Sequence, residues 1–294
     1  MARFDLSSIL GRTSTSSARY QDDLFNDNAI PPAVLEILAE ENRTSKGAVE
    51  AYIYRKFSQR FEQVSAGLNY CATQDKNSFK LDEFLDLFRH AGSQWSIDKI
   101  YEIVVYALFS TLIEVLEISV TVSRNVEKID ILEEFEDFAK SVIQLSPEQM
   151  TVTSPARIHR VGVTNAADCG LDMWANFGLA IQIKHQSLTK KLAEKIVSSL
   201  SSDRIVIICR DAKPKIITSL PDQIGWKSKI QSVIVEGDLL RWYDNALRGR
   251  LSHLMGERVL QKLSDEIKTE FPITDENKWL PFLQKRGYDK LKDT

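Results

Sequence analysis

Residues Arg157 to His185 read RIHRVGVTNAADCGLDMWANFGLAIQIKH. Two short runs within this stretch, Leu171 to Phe177 and Leu179 to His185, are rich in residues that favour β-strands, and Gly178 separates them. This pattern predicts two neighbouring strands joined by a tight turn. The centre of the chain is therefore predicted to form a β-hairpin.

Three polar side chains of this hairpin are predicted to converge on one face. Residues i and i+2 of a strand point to the same side, so Gln182 and Lys184 share one face while Ile181 and Ile183 point into a core. Strands that pair symmetrically about the glycine between them place Asp172 opposite Lys184. A carboxylate, an amide and an ammonium group would then lie together.

This combination suits metal-dependent chemistry on phosphate. A carboxylate with a second oxygen ligand binds Mg²⁺, which prefers oxygen and keeps several waters. A lysine beside the metal can orient or deprotonate the attacking water and offset the charge of a phosphate. We therefore expect Asp172 and Gln182 to bind Mg²⁺ and Lys184 to act on the nucleophile.

The order of these residues resembles a known signature. Asp172 followed by Gln182-Ile183-Lys184 resembles the PD-(D/E)xK motif, and VGVTNAADCGLDMWANFGLAIQIKH resembles type II restriction endonucleases of the HaeII group. Leu171 stands where the motif has proline, and Gln182 stands where a carboxylate is usual. Because an amide is a poorer metal ligand, a further acid is expected to complete the site. The candidates are Asp168, Glu194 and Glu102.

The resemblance implies a function as well as a site. It implies Mg²⁺-dependent, sequence-specific cleavage of double-stranded DNA with 5′-phosphate ends, by a homodimer that acts on a short palindrome. A cognate DNA methyltransferase would act on the same sequence without needing to bind the enzyme. Two alternatives remain open: a repair or resolvase-type nuclease of the same superfamily, and a non-catalytic DNA-binding protein with a degenerate nuclease core.

The elements around the hairpin predict an α/β (α+β) fold. A strand at Ile158 to Thr164 precedes the hairpin, and a helix from Leu188 to Leu200 leads to the strand Ile205 to Cys209. A second crossover leads to Ser232 to Val235 and then to the helix Asp238 to Leu247. Because a helical crossover joins parallel strands, we expect a restriction-endonuclease-like mixed sheet flanked by helices, with a mostly helical N-terminal region.

Charge and composition divide the 294 residues into three predicted regions. Residues 1–150 hold 15 Lys and Arg against 24 Asp and Glu, residues 151–250 hold 15 against 9, and residues 251–294 hold 8 against 8. We expect a helical dimerisation or scaffold region that packs on the core, then the nuclease core, then a helical extension. Asp130 to Leu145 is predicted as a solvated acidic helix, and the Pro, Ser and Thr residues from Pro147 to Pro155 as a linker before the central segment.

The positive surplus of residues 151–250 is expected where a protein meets phosphates, although a solvated lysine-rich surface would have the same charge. Histidines near a strand are more often structural than catalytic, so no proton transfer is assigned to His159 or His185. The predicted DNA contacts are Arg157, Arg160, His185, Lys190 and Lys191.

The cellular setting follows from cysteine content and hydropathy. Three widely spaced cysteines without a CxxC pair favour reduced thiols, as in a cytoplasm, and the resemblance implies that this cytoplasm is prokaryotic. The most apolar run, Ile100 to Leu116, is interrupted by Glu102 and Glu114, so a buried helix is expected and no membrane association.

Overall fold

The structure is a computed structural model that describes residues 32–45, 47–89, 94–161, 171–200, 202–215, 229–271, 281, 284, 285 and 287. The chain divides into two compact units, one formed by residues 1–100 and 263–294 and the other by residues 101–262. The predicted boundaries at residues 150 and 250 fall inside the second unit. The division into three functional regions stays a prediction.

The regular elements follow each other in a mixed order. In the described residues the helices are α1 Pro32–Thr44, α2 Ala48–Thr73, α3 Leu81–Arg89, α4 Gln94–Val115, α5 Ile129–Glu134, α6 Glu136–Phe138, α7 Lys190–Ser199, α8 Glu236–Arg248 and α9 Ser252–Glu270. The strands are β1 Ser119–Ser123, β2 Thr151–Pro155, β3 Ile158–Arg160, β4 Met173–Ala175, β5 Leu179–Leu188, β6 Ile205–Ala212 and β7 Ile230–Val235. The predicted helical character of the N-terminal region is confirmed from Pro32 onward.

The first unit is held together by aromatic packing between α2 and α3. Tyr70 of α2 packs on Phe84 of α3 with the ring centroids 6.1 Å apart, and it also meets Phe79, just ahead of α3, edge to face at 5.4 Å. Such pairs stabilise beyond the apolar area that they bury. The predicted amphipathic faces of these helices therefore form a core.

The second unit contains a five-stranded mixed sheet in the order β3-β4-β5-β6-β7. Strands β3, β4 and β5 pair antiparallel, whereas β5, β6 and β7 pair parallel. The helix α7 lies between β5 and β6 in sequence, as a parallel crossover requires. This arrangement confirms the predicted mixed sheet flanked by helices.

Apolar packing fixes both faces of this sheet. On one face, Ala193 and Ile196 of α7 cluster with Ala180, Ile205 and Ile207 of the strands. The Thr189 side chain caps α7 by accepting a hydrogen bond from the Leu192 amide at 3.2 Å. The start of α7 is thereby set directly after β5.

Two buried tyrosines tie helices to the remaining structure of this unit. The hydroxyl of Tyr101 on α4 donates to the Cys209 carbonyl at 3.2 Å, and the hydroxyl of Tyr243 on α8 donates to the Val104 carbonyl at 2.8 Å. Both phenol groups are thereby satisfied inside the protein, as buried polar groups must be. Among the described residues, no helix is long and apolar enough to cross a membrane.

Residues 119–155 differ from the sequence-based expectation. The segment predicted as a linker contains β2, which pairs antiparallel with β1 along its whole length. The predicted single helix Asp130 to Leu145 is broken at Phe135, and a π-helical turn, Ala139–Ile143, follows α6. The linker prediction was wrong because Ser and Thr, which favour turns, also suit a solvent-exposed strand pair.

This segment also exposes many apolar side chains. Of the eighteen large apolar side chains exposed in the described residues, ten lie between residues 116 and 150. We call this set the 116–150 surface: Leu116, Ile118, Val122, Val126, Ile131, Phe135, Phe138, Val142, Ile143 and Met150. Five of these side chains line one groove, Val122, Ile131, Phe135, Phe138 and Ile143, and contiguous exposed apolar side chains commonly mark an interaction site.

Candidate active site

Asp172 lies just ahead of β4, between β3 and β5. Its carbonyl accepts a hydrogen bond from the Val161 amide at 2.9 Å, which continues the β3-β4 register by one pair. The acidic side chain is therefore held on paired backbone and points toward β5.

The register of the β4-β5 hairpin differs from the predicted one by two residues. Met173 pairs with Ile181 and Ala175 with Leu179, so that Asp172 falls opposite Gln182 and not Lys184. The turn occupies three residues, 176–178, and Gly178 ends it with a φ of 82°. Glycine adopts this left-handed conformation without a steric penalty, as a three-residue hairpin loop requires.

A shift of two residues keeps every side chain on its predicted face, because strands alternate with a period of two. Asp172 Oδ2 consequently meets three nitrogen groups of β5. Gln182 Nε2 donates a hydrogen bond to it, and the Ile183 main-chain amide donates another at 2.6 Å. Lys184 Nζ lies 3.6 Å from the same oxygen. The three predicted site residues are thus brought together.

Their burial grades from the core to the surface. Gln182 is 2 % exposed, the Asp172 side chain 12 % and the Lys184 side chain 37 %. A charged pair at partial burial is screened less than one at the surface. The arrangement presents the ammonium group to solvent while the carboxylate and amide stay fixed below it. We call this side of the five-stranded sheet the site face.

The donor set fits an oxygen-seeking cation. The amide nitrogen of Gln182 faces Asp172, so the amide group must rotate by about 180° to turn its oxygen toward an ion held by that carboxylate. One carboxylate and one amide oxygen are ligands that Mg²⁺ accepts together with several waters. Among the described residues, no group of three or more His, Cys, Asp or Glu side chains could hold a metal. The local chemistry therefore favours a hard, partly hydrated ion.

Comparison with known proteins agrees with the predicted resemblance. The family model described as HaeII restriction endonuclease matches residues 5–288. This chain belongs to the HaeII restriction endonuclease family. It is 56 % identical over 286 residues to the type II restriction enzyme HaeII of Haemophilus aegyptius, an alignment that covers 97 % of this chain and 81 % of that protein. The predicted family is confirmed.

A second relative gives the same result. The type II restriction enzyme NgoBI of Neisseria gonorrhoeae is 54 % identical over 283 residues, with 96 % of this chain and 80 % of the relative covered. No solved structure matches this chain. The predicted enzyme class, a type II restriction endonuclease, is confirmed by these relationships.

Of the predicted additional acids, the structure describes Glu102 and Glu194, and it does not cluster either of them with Asp172. Glu102 is buried in α4 at 7 % exposure, and Glu194 lies on the exposed side of α7, 4.0 Å from Lys190. Neither joins Asp172 in a group of three metal-binding side chains within the described part of the chain. Asp168 lies outside the described residues. The acid that would complement Gln182 in this member of the HaeII family stays a prediction.

The predicted DNA contacts fall into two groups. Arg157, Lys190 and Lys191 are exposed, and Arg160 is half-buried. His185 differs, because its side chain is only 7 % exposed, packs edge to face on Tyr101 and has Nε2 3.3 Å from a Glu236 oxygen. Alternation along β5 turns it away from Lys184 and into the protein. His185 is thus mostly buried, and its role as a DNA contact stays a prediction.

One polar cluster beyond Lys184 was not predicted. The hydroxyl of Ser187 donates to Asp211 at 2.9 Å, and Arg210 Nε donates to the same carboxylate at 3.0 Å. These two contacts hold the pKa of Asp211 below its usual range. A register shift between Lys184 and Ser187 aligns the groups. Sequence reasoning missed them because a β-bulge changes which residues share a face and leaves no distinct residue pattern.

Proposed function

We propose that this chain hydrolyses double-stranded DNA at a specific sequence with Mg²⁺ and leaves 5′-phosphate ends. The observation that carries the proposal is the convergence on Asp172 Oδ2 of Gln182, the Ile183 amide and Lys184. An acid fixed from two sides, with an ammonium group at its solvent side, suits attack on a charged phosphodiester.

Each residue has a distinct role in this proposal. Asp172 and the amide oxygen of Gln182 would hold Mg²⁺, which when bound supplies Lewis-acid stabilisation of phosphate charge. The amides of Gln182 and Ile183 keep the Asp172 carboxylate in one orientation. Lys184 activates the attacking water for in-line displacement: as an ammonium group it orients the water by donating a hydrogen bond and offsets charge on the phosphate, while the proton of the water passes to solvent. Arg157, Arg160, Lys190 and Lys191 contact DNA phosphates.

The enzyme acts as a homodimer, because two identical sites related by a two-fold axis can cut both strands of a palindrome. The 116–150 surface supports this proposal. It borders a groove of about 630 Å³ that is lined by Phe135, Phe138 and Ile143 together with Arg124 and Lys128. Residues 116–150 carry eight acids against three bases, so DNA is disfavoured as the occupant.

A second copy of the same chain suits this surface better. Lys128 lies exposed at this groove, while the acids Glu133, Glu134 and Asp137 lie exposed nearby in sequence. In a two-fold interface the basic edge of one copy meets the acidic edge of the other. We place the enzyme in a prokaryotic cytoplasm, where its DNA substrate lies and where a cognate methyltransferase would protect the same sequence.

The decisive experiment is digestion of a sequenced plasmid with purified full-length protein. We expect a fixed set of fragments with Mg²⁺ or Mn²⁺, little cleavage with Ca²⁺ and none with chelator. Asp172→Ala and Lys184→Ala should each reduce cleavage by at least about 100-fold while specific binding survives. Lys195→Ala, a control on an exposed lysine of α7, should cut normally.

Other outcomes would redirect the assignment. Cleavage by either site variant near the wild-type rate would remove these residues from the chemistry. A smear, or cuts confined to junctions, would indicate a repair or resolvase nuclease. Specific binding without cleavage in any metal would indicate a non-catalytic DNA-binding protein.

A further inference from the structure

An exposed aromatic pair lies beside the candidate active site. Trp174 of β4 and His159 of β3 are cross-strand partners whose rings stack at 4.4 Å with 24° between their planes. Trp174 nevertheless keeps 44 % of its surface exposed. The imidazole therefore restrains the indole ring without covering it, which leaves a preoriented apolar surface in water.

This pair lies on the site face. Asp172 and Trp174 are two residues apart on one strand and so point to the same side, whereas Met173 between them is fully buried. Trp174 pairs with Ala180, which precedes Gln182 by two residues on β5. At about 3.4 Å per residue, the indole ring begins about 7 Å along the sheet from the carboxylate.

Positive charge accompanies the aromatic pair. Arg157 precedes His159 by two residues and is exposed. Aromatic rings next to basic side chains form the common surface on which proteins hold bases and sugars of nucleic acids.

We propose that Trp174, held in place by His159, packs against a nucleotide that flanks the scissile phosphate. The contact is made with the sugar or an unstacked base, so it contributes apolar and stacking affinity and no charge. Arg157 on the same face supplies the phosphate contact. This inference rests on the proposed function, because it requires DNA on the site face.

The test measures DNA binding in a Lys184→Ala background, where cleavage does not interfere. A labelled duplex that contains the mapped cleavage site is titrated with full-length protein at several salt concentrations. Trp174→Ala should weaken binding by about 10- to 100-fold, in line with the loss of one stacked base. Trp174→Phe should recover most of that loss, and Tyr52→Ala, which removes an aromatic ring 57 % exposed on α2, should change little.

Salt dependence separates the neutral contact from a charged one. The loss caused by Trp174→Ala should be the same at every salt concentration, whereas Arg157→Ala should lower the slope of log affinity against log salt by about 0.9. DNA should quench tryptophan emission in the parent and quench it less in Trp174→Phe. The emission experiment still tests the proposal if Trp174→Ala proves unstable.

Two results would overturn the inference. One is unchanged affinity of a folded Trp174→Ala protein, and the other is identical quenching in the parent and Trp174→Phe. Either result leaves the nuclease assignment intact, because plasmid cleavage by the wild type tests that assignment separately. Conversely, a wild type that binds DNA without cutting it would refute the nuclease proposal. The contribution of Trp174 to DNA affinity could still be measured in that case.

Discussion

The five-stranded sheet and the β1-β2 pair of the second unit use similar residues but bury them very differently. Ile181 and Ile183 of β5 are 0 % and 3 % exposed, whereas Val122 of β1 is 44 % exposed. Helices with apolar faces pack on the larger sheet, and a two-stranded ribbon cannot form a core by itself. Residues that favour strands thus form strands in both regions. Only the five-stranded sheet is covered by helices, and it is this sheet that holds the candidate site residues in place.

The largest effect that tests this difference concerns stability. Ile181→Ala removes buried methyl groups and leaves a cavity, so the free energy of unfolding should fall by about 2–5 kcal/mol. Val122→Ala should change it by no more than about 0.5 kcal/mol in the isolated chain. Urea denaturation of both variants at low protein concentration measures this. Equal losses would mean that the β1-β2 pair has a core of its own.

A smaller effect concerns the polar contact that the larger sheet supports. Gln182→Ala removes a buried group that holds Asp172, and such a loss commonly reduces metal affinity or activity by about 10- to 100-fold. A Mg²⁺ titration of cleavage rate measures it. If Gln182→Ala cuts as fast as wild type throughout, Gln182 is only a strand residue and the second ligand must be sought at Asp168, Glu194 or Glu102.

The same position gives a pH-dependent control. Gln182→Glu keeps an oxygen ligand and should retain cleavage in saturating Mg²⁺. Its new carboxylate lies against Asp172, and like charges raise the pKa of such a pair. Because a raised pKa means that protons bind at higher pH, the acidic limb of the rate profile should move to higher pH. An unchanged profile would contradict close contact between residues 172 and 182.

The smallest expected effect is a twofold decrease in the mass of the particle in solution, and it tests the 116–150 surface. Phe135→Lys combined with Phe138→Lys places two charges on that surface and should convert a dimer to a monomer in sedimentation or light scattering. Leu254→Lys, on a leucine 46 % exposed outside that surface, is the matched control and should stay dimeric. A double variant that remains dimeric would place the interface elsewhere.

The sequence predicts the five-stranded sheet better than it predicts the β1-β2 pair. Alternation of Ile181, Gln182, Ile183 and Lys184 predicts which side chains face the core, because burial on one face imposes a period of two. The register of the hairpin was missed because the turn takes three residues and not one. The β1-β2 pair was not predicted as a pair. The β-branched residues of β1 lie beside helical segments and leave its structure ambiguous, and the Thr, Ser and Pro of β2 are typical of a linker.

Replacement of the usual second carboxylate by Gln182 also changes the charge of the site before any ligand binds. The charges of Asp172 and Lys184 cancel, and the Gln182 amide is neutral. These three side chains therefore have no net charge that would attract a divalent cation. DNA phosphates bring the missing negative charge. We therefore expect Mg²⁺ to bind the protein–DNA complex more tightly than the free protein, and by thermodynamic reciprocity the ion should strengthen DNA binding by the same factor. In this enzyme Mg²⁺ would bind mainly to the complex that the protein forms with DNA.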